Sequence, residues 1–216
     1  MQAESFFSST LFFLLQASQM TIFVSAVGLL VGFVIAIAVV SACLSPTAGA
    51  RRMGNLYTFV FRGIPLLVQL MLAFYFLPAL GIQVPAWAAA VLAVSLCEGA
   101  YIGEILRGGF LGIPAGQIEA CQMLGLSKLD ILVRIKIPQA LKLTAPSLVN
   151  EVILLVKASS LVSVVGVAEI TRTAQNIAAS TFRPLEAYAM AGLAYMVLCG
   201  MLAALGHYIE RRYREA

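Results

Sequence analysis

Long apolar runs without a charged side chain determine what this chain can fold into. The run from Met20 to Cys43 contains no Asp, Glu, Lys or Arg. A helix of about 20 apolar residues crosses the roughly 30 Å hydrocarbon core of a bilayer. Charged residues make up 11% of the chain and the mean hydropathy is +0.96, whereas a soluble domain has roughly 25% charged residues. A soluble enzyme, a nucleic-acid-binding domain and a disordered tail are excluded, and a polytopic membrane protein is predicted.

Five stretches are long and apolar enough to predict membrane spans. They make residues 1–216 a single transmembrane domain of an all-α membrane protein, with spans at about 20–43, 64–82, 84–106, 143–167 and 187–209. The residues before Met20 are apolar as well, but together with the first span they form a run too long for one crossing. We expect them to form a short helix along the outer interface.

The distribution of Lys and Arg predicts the orientation, because short cytoplasmic loops carry an excess of both. With the N-terminus outside, the outer segments hold only Arg172 and Arg183. The inner segments then hold nine basic residues: Arg51, Arg52, Lys128, Arg134, Lys136, Lys142, Arg211, Arg212 and Arg214. This predicts five spans with the N-terminus outside and the C-terminus in the cytoplasm.

The inner loop at about 112–138 is longer than a simple connection needs. After the Gly- and Pro-rich stretch 112–116, residues 117–124 predict a short helix that ends at Gly125. Ser127 can cap a second helix, which we expect to stop near Pro138. These helices carry several Leu side chains. They either dock into a partner's groove or pack on the inner ends of their own spans.

The sequence of this loop resembles the EAA signature of ABC-importer permeases. That signature has the pattern E-A-A-x3-G-x9-I-x-L-P. In this chain it is matched by Glu119-Ala120-Cys121, then Gly125 after three residues, and Ile135-Lys136-Ile137-Pro138 after nine more. Cys121 and Ile137 depart from the pattern. Residues 62–67, 101–109 and 150–161 resemble motifs of polar amino acid permeases of the histidine, arginine and glutamine type. The similarity extends from about Met20 to the C-terminus and implies a type I ABC importer permease fold, with five transmembrane helices and a cytoplasmic coupling-helix loop.

The resemblance also implies the partners. The protein partners are a dimer of ATP-binding subunits, a second permease subunit (a second copy or a similar chain) and a periplasmic or lipid-anchored substrate-binding protein. The chain would also bind an amino acid and contact membrane lipid. The expected location is the bacterial inner membrane. The residues that would contact the ATPase are Glu119, Ala120, Cys121, Leu124, Gly125 and Leu126. The chain has no G-x-x-x-x-G-K-[ST] motif, so ATP and Mg²⁺ belong on the partner. We predict no catalytic residue, metal or cofactor in this chain.

Charged residues inside predicted spans are candidates for the transport path, because each costs at least a few kcal/mol in the membrane. Glu104 can pair with Arg107 at i+3. Glu98, Glu151 and Lys157 have no such partner on their own helix. Our hypothesis is that Glu151 binds the ammonium or cationic side chain of an amino acid, while Glu98 adds negative potential. Two acids facing one cavity favour a basic substrate such as arginine, lysine, ornithine or histidine.

Further residues complete the predicted substrate path. Lys157 would supply positive charge, and Arg62 beside Gly63 would suit a carboxylate or anchor the membrane's inner edge. By resemblance, Ser160 and Leu161 could border the cavity or the gate. Family permeases often carry a neutral pair where Cys97 and Glu98 stand. Alternatively, Glu98, Glu151, Lys157 and Arg62 neutralise one another without a ligand.

The favoured function is that of a permease subunit in an ATP-driven importer working by alternating access. One alternative is a secondary transporter or channel that uses the buried charges as an ion relay, although no internal repeat typical of such carriers is visible. An intramembrane enzyme would need a nucleophile–base pair or a metal cluster. The only His lies near the predicted inner end, and the cysteines are dispersed.

Overall fold

The computed structural model of the chain describes residues 2–214, and every regular element within them is a helix. The α-helices are α1 (Gln2–Cys43), α2 (Ala48–Gly63), α3 (Leu66–Ala79), α4 (Ala86–Leu111), α5 (Ala115–Met123), the single turn α6 (Lys128–Asp130), α7 (Ile137–Ala158), α8 (Ile170–Thr181) and α9 (Pro184–Arg214). A π-helix (Ile131–Lys136) precedes α7, and a 3₁₀ helix (Ser159–Val165) follows it. Within this part of the chain, four helices are long and apolar enough to cross a membrane, or five if the bent pair α2–α3 is one span.

The first helix is longer than the sequence predicts. Instead of a separate interfacial helix before Met20, one unbroken helix runs from Gln2 to Cys43. No Pro lies in this range and the first Gly is Gly28, so nothing interrupts the helical hydrogen bonds. The N-terminal half buries Leu14 in a core cluster with Ile170 of α8 and Ala191 of α9. This tertiary contact explains why the segment continues the span.

Glycines bring α1 and α4 into close contact. A Cβ added at Gly32 of α1 would lie 2.7 Å from the Cβ of Glu98 on α4. A Cβ at Gly99 of α4 would lie 2.5 Å from Cγ2 of Ile35 on α1. Small residues allow such close approach of helices in membranes. As a result, Glu98 is held against the backbone of α1.

The second predicted span is sharply bent. Helices α2 and α3 meet at 99° across a break at Ile64 and Pro65. Ile64 has extended backbone (φ −97°, ψ 129°), because a residue that precedes proline is disfavoured in the helical region. The apolar helix after the break covers Leu66–Ala79 of the predicted range 64–82. Helix α2 before it is not expected from the apolar runs.

The inner loop forms the first predicted short helix and the predicted cap at Ser127, but the second helix ends differently. Helix α5 is followed by Gly125 at φ +77°, and the Ser127 hydroxyl accepts from the backbone N–H of Asp130 at 3.1 Å. The expected stop near Pro138 is wrong, because the helical path continues through it into α7. The backbone N–H of Ile137 donates to the carbonyl of Leu132, five residues back. This wider π turn accommodates a proline ring that would clash with a carbonyl in a regular α-helix.

The last two predicted spans differ from the structure at their ends. Helix α7 gives way to the 3₁₀ helix at Ser159, and Gly166 (φ +84°) ends that helix. Helix α8 lies between the spans, where the sequence analysis expects only an outer connection. Helix α9 extends beyond the predicted range 187–209 at both ends. The side chains of Arg212 and Arg214, used in the charge argument, lie outside the described residues.

Candidate functional site

The bend between α2 and α3 is held by a buried glutamine. The side-chain nitrogen of Gln69 donates to the carbonyls of Phe61 and Ile64, both at 2.8 Å. In an unbroken helix the carbonyl of Phe61 would accept from residue 65, which is a proline without an N–H. Gln69 supplies the missing donor, and its side chain is buried. The backbone carbonyls of Phe61 and Ile64 at the bend are therefore hydrogen-bonded.

Helix α4 lies directly against this bend. The hydroxyl of Tyr57 on α2 donates to the carbonyl of Leu96 at 2.6 Å. The thiol of Cys97 lies 3.9 Å from the carbonyl of Phe61. Glu98 is buried, at 5% exposed. Within the described residues, Oε2 of Glu98 and Oε1 of Gln69 are buried without a hydrogen-bond partner. Unsatisfied buried oxygens are rare, so these two mark the region as one that can accept donors.

Three of the predicted charges, on three different helices, are linked by electrostatic interactions through Glu151. The carboxylate of Glu98 on α4 interacts electrostatically with that of Glu151 on α7. Glu151 in turn interacts with the guanidinium of Arg62 at the end of α2. The Cζ of Arg62 lies 5.2 Å from the centroid of the Tyr101 ring, in cation–π contact. The cluster thus holds two acids and one base, so its formal charge is negative when both carboxylates are ionised.

The other predicted substrate residues lie at the margin of this cluster. Lys157 is exposed on α7, six residues beyond Glu151. Gly63 is exposed at the end of α2, beside Arg62. Ser160 and Leu161 are half-buried in the 3₁₀ helix, whose Val162 shares a core cluster with Leu70 of α3 and Val94 of α4. Electrostatic interactions link buried Glu98 to half-buried Glu151, and Glu151 to exposed Arg62, whereas Lys157 does not act on either carboxylate in the described part of the chain.

The inner loop presents an apolar surface. Met123 is 90% exposed and Leu124 is 80% exposed, and no residue of α5 is buried. Glu119, Ala120 and Gly125 are also exposed, Leu126 is 38% exposed, and Cys121 is half-buried. The alternative that this segment packs on its own spans does not apply to Met123 or Leu124. The two side chains are available to a partner.

The predicted pair on α4 is confirmed. The guanidinium of Arg107 donates to both carboxylate oxygens of Glu104, with Nε at 3.1 Å from Oε1 and 3.0 Å from Oε2. This carboxylate therefore has a cation on its own helix, and it also interacts electrostatically with Arg62.

Two buried polar residues with structural hydrogen bonds, Gln69 and Glu169, are not predicted from the sequence. Gln69 could have been found as a polar residue in an otherwise apolar span. Glu169 is fully buried at the start of α8 and accepts from the N–H groups of Thr171 (2.9 Å) and Arg172 (2.7 Å) and from the Tyr195 hydroxyl (2.5 Å). Burial raises the pKa of Glu169, and these donors oppose the rise. No sequence signal marks it, because Glu is not a favoured N-cap residue.

The family described as binding-protein-dependent transport system inner membrane component matches residues 28–215 of this chain. Among curated relatives, the arginine transport system permease protein ArtQ of Bacillus subtilis (strain 168) is 37% identical over 205 residues, which cover 94% of this chain and 93% of the relative. The L-cystine transport system permease protein TcyB of the same organism is 37% identical over 193 residues, covering 89% of this chain and 82% of the relative.

A solved structure is similar over the whole fold. It is described as a crystal structure of an amino acid ABC transporter with histidines. The two chains are 32% identical with a TM-score of 0.84, and the match covers 98% of this chain and 97% of the other. The overall arrangement of the helices is therefore shared with that chain.

Proposed function

The chain belongs to the family of binding-protein-dependent transport system inner membrane components, and from that premise we propose that it passes basic amino acids through the membrane. It is the permease subunit of an ATP-driven amino acid importer with the all-α type I permease fold, and ATP is hydrolysed by a separate subunit. A secondary transporter or channel is not favoured, because the named relatives are permeases of transport systems with several components.

The buried carboxylate of Glu98 beside that of Glu151 carries the proposal for a basic substrate. Glu151 would accept hydrogen bonds from the ammonium or the cationic side chain, and the unpartnered Oε2 of Glu98 would add acceptor capacity. Arg62, held over Tyr101, would face the substrate carboxylate. A neutral amino acid would leave one carboxylate of this cluster without a counter-charge, which is costly away from water. The arginine permease relative is consistent with this preference.

The remaining predicted residues act at the edge of this path. Lys157 and Gly63 are exposed and would contribute during entry or release rather than beside the buried carboxylate of Glu98. Ser160 and Leu161 would border the gate, since the 3₁₀ helix that holds them packs on α3 and α4. A 3₁₀ segment within a long helix often marks a hinge. Its junction with Gly166 at φ +84° suits such a role.

Residues 119–126 are proposed to dock into the ATPase. Leu124 would enter an apolar groove of the partner, and Glu119 would meet a basic residue there. Ala120 and Cys121 are small enough for close approach, and Leu126 extends the apolar surface. Gly125 at φ +77° turns the chain back toward the membrane, a conformation that favours glycine. ATP and Mg²⁺ would remain on the ATPase. When the ATPase dimer closes, this loop would transmit the movement to the membrane-spanning helices.

The assembly follows from the same premise. We place the chain in the bacterial inner membrane with its N-terminus outside, because the basic residues concentrate in the segments at one membrane face. A second permease subunit, a second copy or a similar chain, would complete the passage. A substrate-binding protein would deliver the amino acid from outside.

Uptake in reconstituted vesicles tests this function. The permease, its ATPase and its binding protein are assembled in proteoliposomes, and uptake of labelled arginine, lysine, histidine and glutamine is followed with ATP or a non-hydrolysable analogue. We expect uptake only with ATP, and faster for the basic amino acids than for glutamine. Uptake that continues with the analogue would overturn the importer mechanism. Equal or faster glutamine uptake would overturn the proposed substrate class and leave the importer mechanism intact.

A further inference from the structure

A large cavity lies away from the charged cluster, at the end of the spans where basic residues concentrate. It measures about 740 Å³ and opens between the C-terminal ends of α1 and α4 and the start of α7. Its walls are mostly apolar and include Phe33, Ile37, Leu106 and Phe110. Neither Glu98 nor Glu151 lines it. It is therefore separate from the proposed substrate path.

The lining of this cavity carries a positive charge. Lys136, the last residue of the π turn, is the one charged side chain among the lining residues. Ser45 also lines the cavity, and its carbonyl accepts from the Nη1 of Arg51 at 3.3 Å. One cation thus lines the cavity and a second is bonded to a lining residue, while no acidic residue is found among the described residues that line it.

The cavity also lies at the depth where the hydrocarbon core ends. The uncharged run of α1 stops at Cys43, the next residues, Leu44 and Ser45, line the cavity, and Arg51 is the first basic residue of the chain. The apolar part of the cavity therefore extends into the hydrocarbon core, while Lys136 and Arg51 lie at the level of the lipid headgroups. A soluble anion would not pack against the apolar walls, and a neutral lipid would not pair with the two cations. An anionic lipid would do both.

We propose that this cavity binds an anionic phospholipid. One acyl chain would lie between α1 and α4 against Phe33 and Ile37, and the phosphate would contact Lys136 and Arg51. The volume fits the roughly 300–1,000 Å³ range of ligand sites, and basic pockets between membrane helices on the cytoplasmic side bind anionic headgroups. The lipid would rest against the π turn that joins the exposed loop to α7. This site is independent of the amino acid that the transporter carries.

Lipid retention by the intact transporter tests the proposal. The permease–ATPase complex is delipidated in detergent, mixed with dioleoyl phosphatidylglycerol or dioleoyl phosphatidylcholine, and examined by native mass spectrometry. We expect retention of phosphatidylglycerol over phosphatidylcholine by about fivefold or more. Lys136→Ala should remove most of this preference. Lys142→Ala is the matched control, because Lys142 is exposed on α7 and does not line the cavity.

A second substitution tests the cavity itself. Ser41 lines the cavity, so Ser41→Phe should fill it and reduce retention of both lipids. Equal retention of the two lipids by the wild type, or an unchanged preference in Lys136→Ala, would overturn the proposal. A photoreactive p-benzoylphenylalanine in place of Phe110, an aromatic residue that already lines the cavity, identifies the occupant directly. Labelled phospholipid supports the proposal, whereas a covalently joined protein chain overturns it.

Discussion

The side-chain nitrogen of Gln69 lies 2.8 Å from the carbonyl oxygen of Phe61, eight residues earlier in the chain. That oxygen has no helical donor, because Pro65 occupies the position from which the N–H would come. The 99° bend of the α2–α3 pair thus depends on one amide group. Arg62, which takes part in the charged cluster, is part of the same bend and depends on it for its position.

Removal of this amide should weaken the bend. Gln69→Leu keeps the volume but leaves the carbonyls of Phe61 and Ile64 without their donor, and an unsatisfied buried group costs about 1–3 kcal/mol. Removal of the unpartnered Oε1 offsets part of this cost. We therefore expect a net loss of about 2 kcal/mol in the free energy of unfolding. Chemical unfolding of the purified complex measures it. Gln83→Leu, at an exposed position, is the control, and equal stability of the two variants would contradict the role of Gln69.

The contact between α1 and α4 makes a second prediction. Gly32→Val would place its Cβ 2.7 Å from the Cβ of Glu98 and 3.2 Å from the carbonyl oxygen of Ser95, so the helices must separate. Overpacking of this kind costs about 1–3 kcal/mol. Gly200→Val makes the same exchange in a helix where an added Cβ meets nothing within 4 Å. The melting temperature of Gly32→Val should be clearly lower than that of Gly200→Val, and similar values would argue against close packing of α1 and α4.

The sequence predicts the elements that follow from local chemistry. Apolar runs predict α4 and α9, and the turn at Gly125 and the cap at Ser127 follow from the preferences of those residues. The pair of Glu104 and Arg107 is fixed by helical spacing. Each of these needs only nearby residues, which a single sequence contains.

Other parts of the structure depend on contacts between distant segments. Helix α2 carries Arg51, Arg52 and Arg62, so no apolar run marks it. The unbroken α1 is explained by burial of Leu14 against α8 and α9. The grouping of Arg62 with Glu98 and Glu151 depends on three different helices. Arg62 and Lys157 are both exposed, but among the described residues the cation that acts on Glu151 is Arg62 and not Lys157. A charged residue inside an apolar span can be recognised from the sequence. The residues on other helices with which it interacts cannot.

The stability of the protein should depend on pH through Glu169. Burial raises the pKa of this carboxyl above its ordinary value of 4.5, so the folded protein holds the proton more tightly than the unfolded chain. Its contribution to stability is therefore complete below about pH 4.5 and decreases as the pH rises through the folded pKa. We expect the wild type to lose stability relative to Glu169→Gln as the pH rises above about 4.5, measured as the difference in melting temperature at each pH.

The Tyr195 hydroxyl provides the control for this titration. It donates to Glu169 and opposes the rise in pKa, so Tyr195→Phe should shift the loss of stability to higher pH. A melting-temperature difference between wild type and Glu169→Gln that stays constant with pH would contradict the prediction.

The exposed loop should determine assembly with the ATPase. Leu124→Asp places a charge on a side chain that is 80% exposed in this chain and proposed to enter an apolar groove. We expect at least a tenfold loss of ATPase that copurifies with the permease, with the permease itself remaining folded. Leu185→Asp is the matched control, because Leu185 is 81% exposed at the start of α9, away from the loop. Equal loss in both variants would point to a general defect rather than a docking site.

The choice of substrate should change when the buried acids are neutralised. A hydrogen bond to a charged group contributes about 1.5–3 kcal/mol, which corresponds to roughly tenfold or more in affinity. Glu151→Gln should therefore lower arginine uptake relative to glutamine uptake by about tenfold, and Glu98→Gln should lower it by a smaller factor. The ratio of the two uptake rates in proteoliposomes measures the effect, and Glu186→Gln, at the start of α9, is the control. If the acids only neutralise Arg62, both variants will lose stability while the ratio stays unchanged, and direct binding by Glu151 and Glu98 is then refuted.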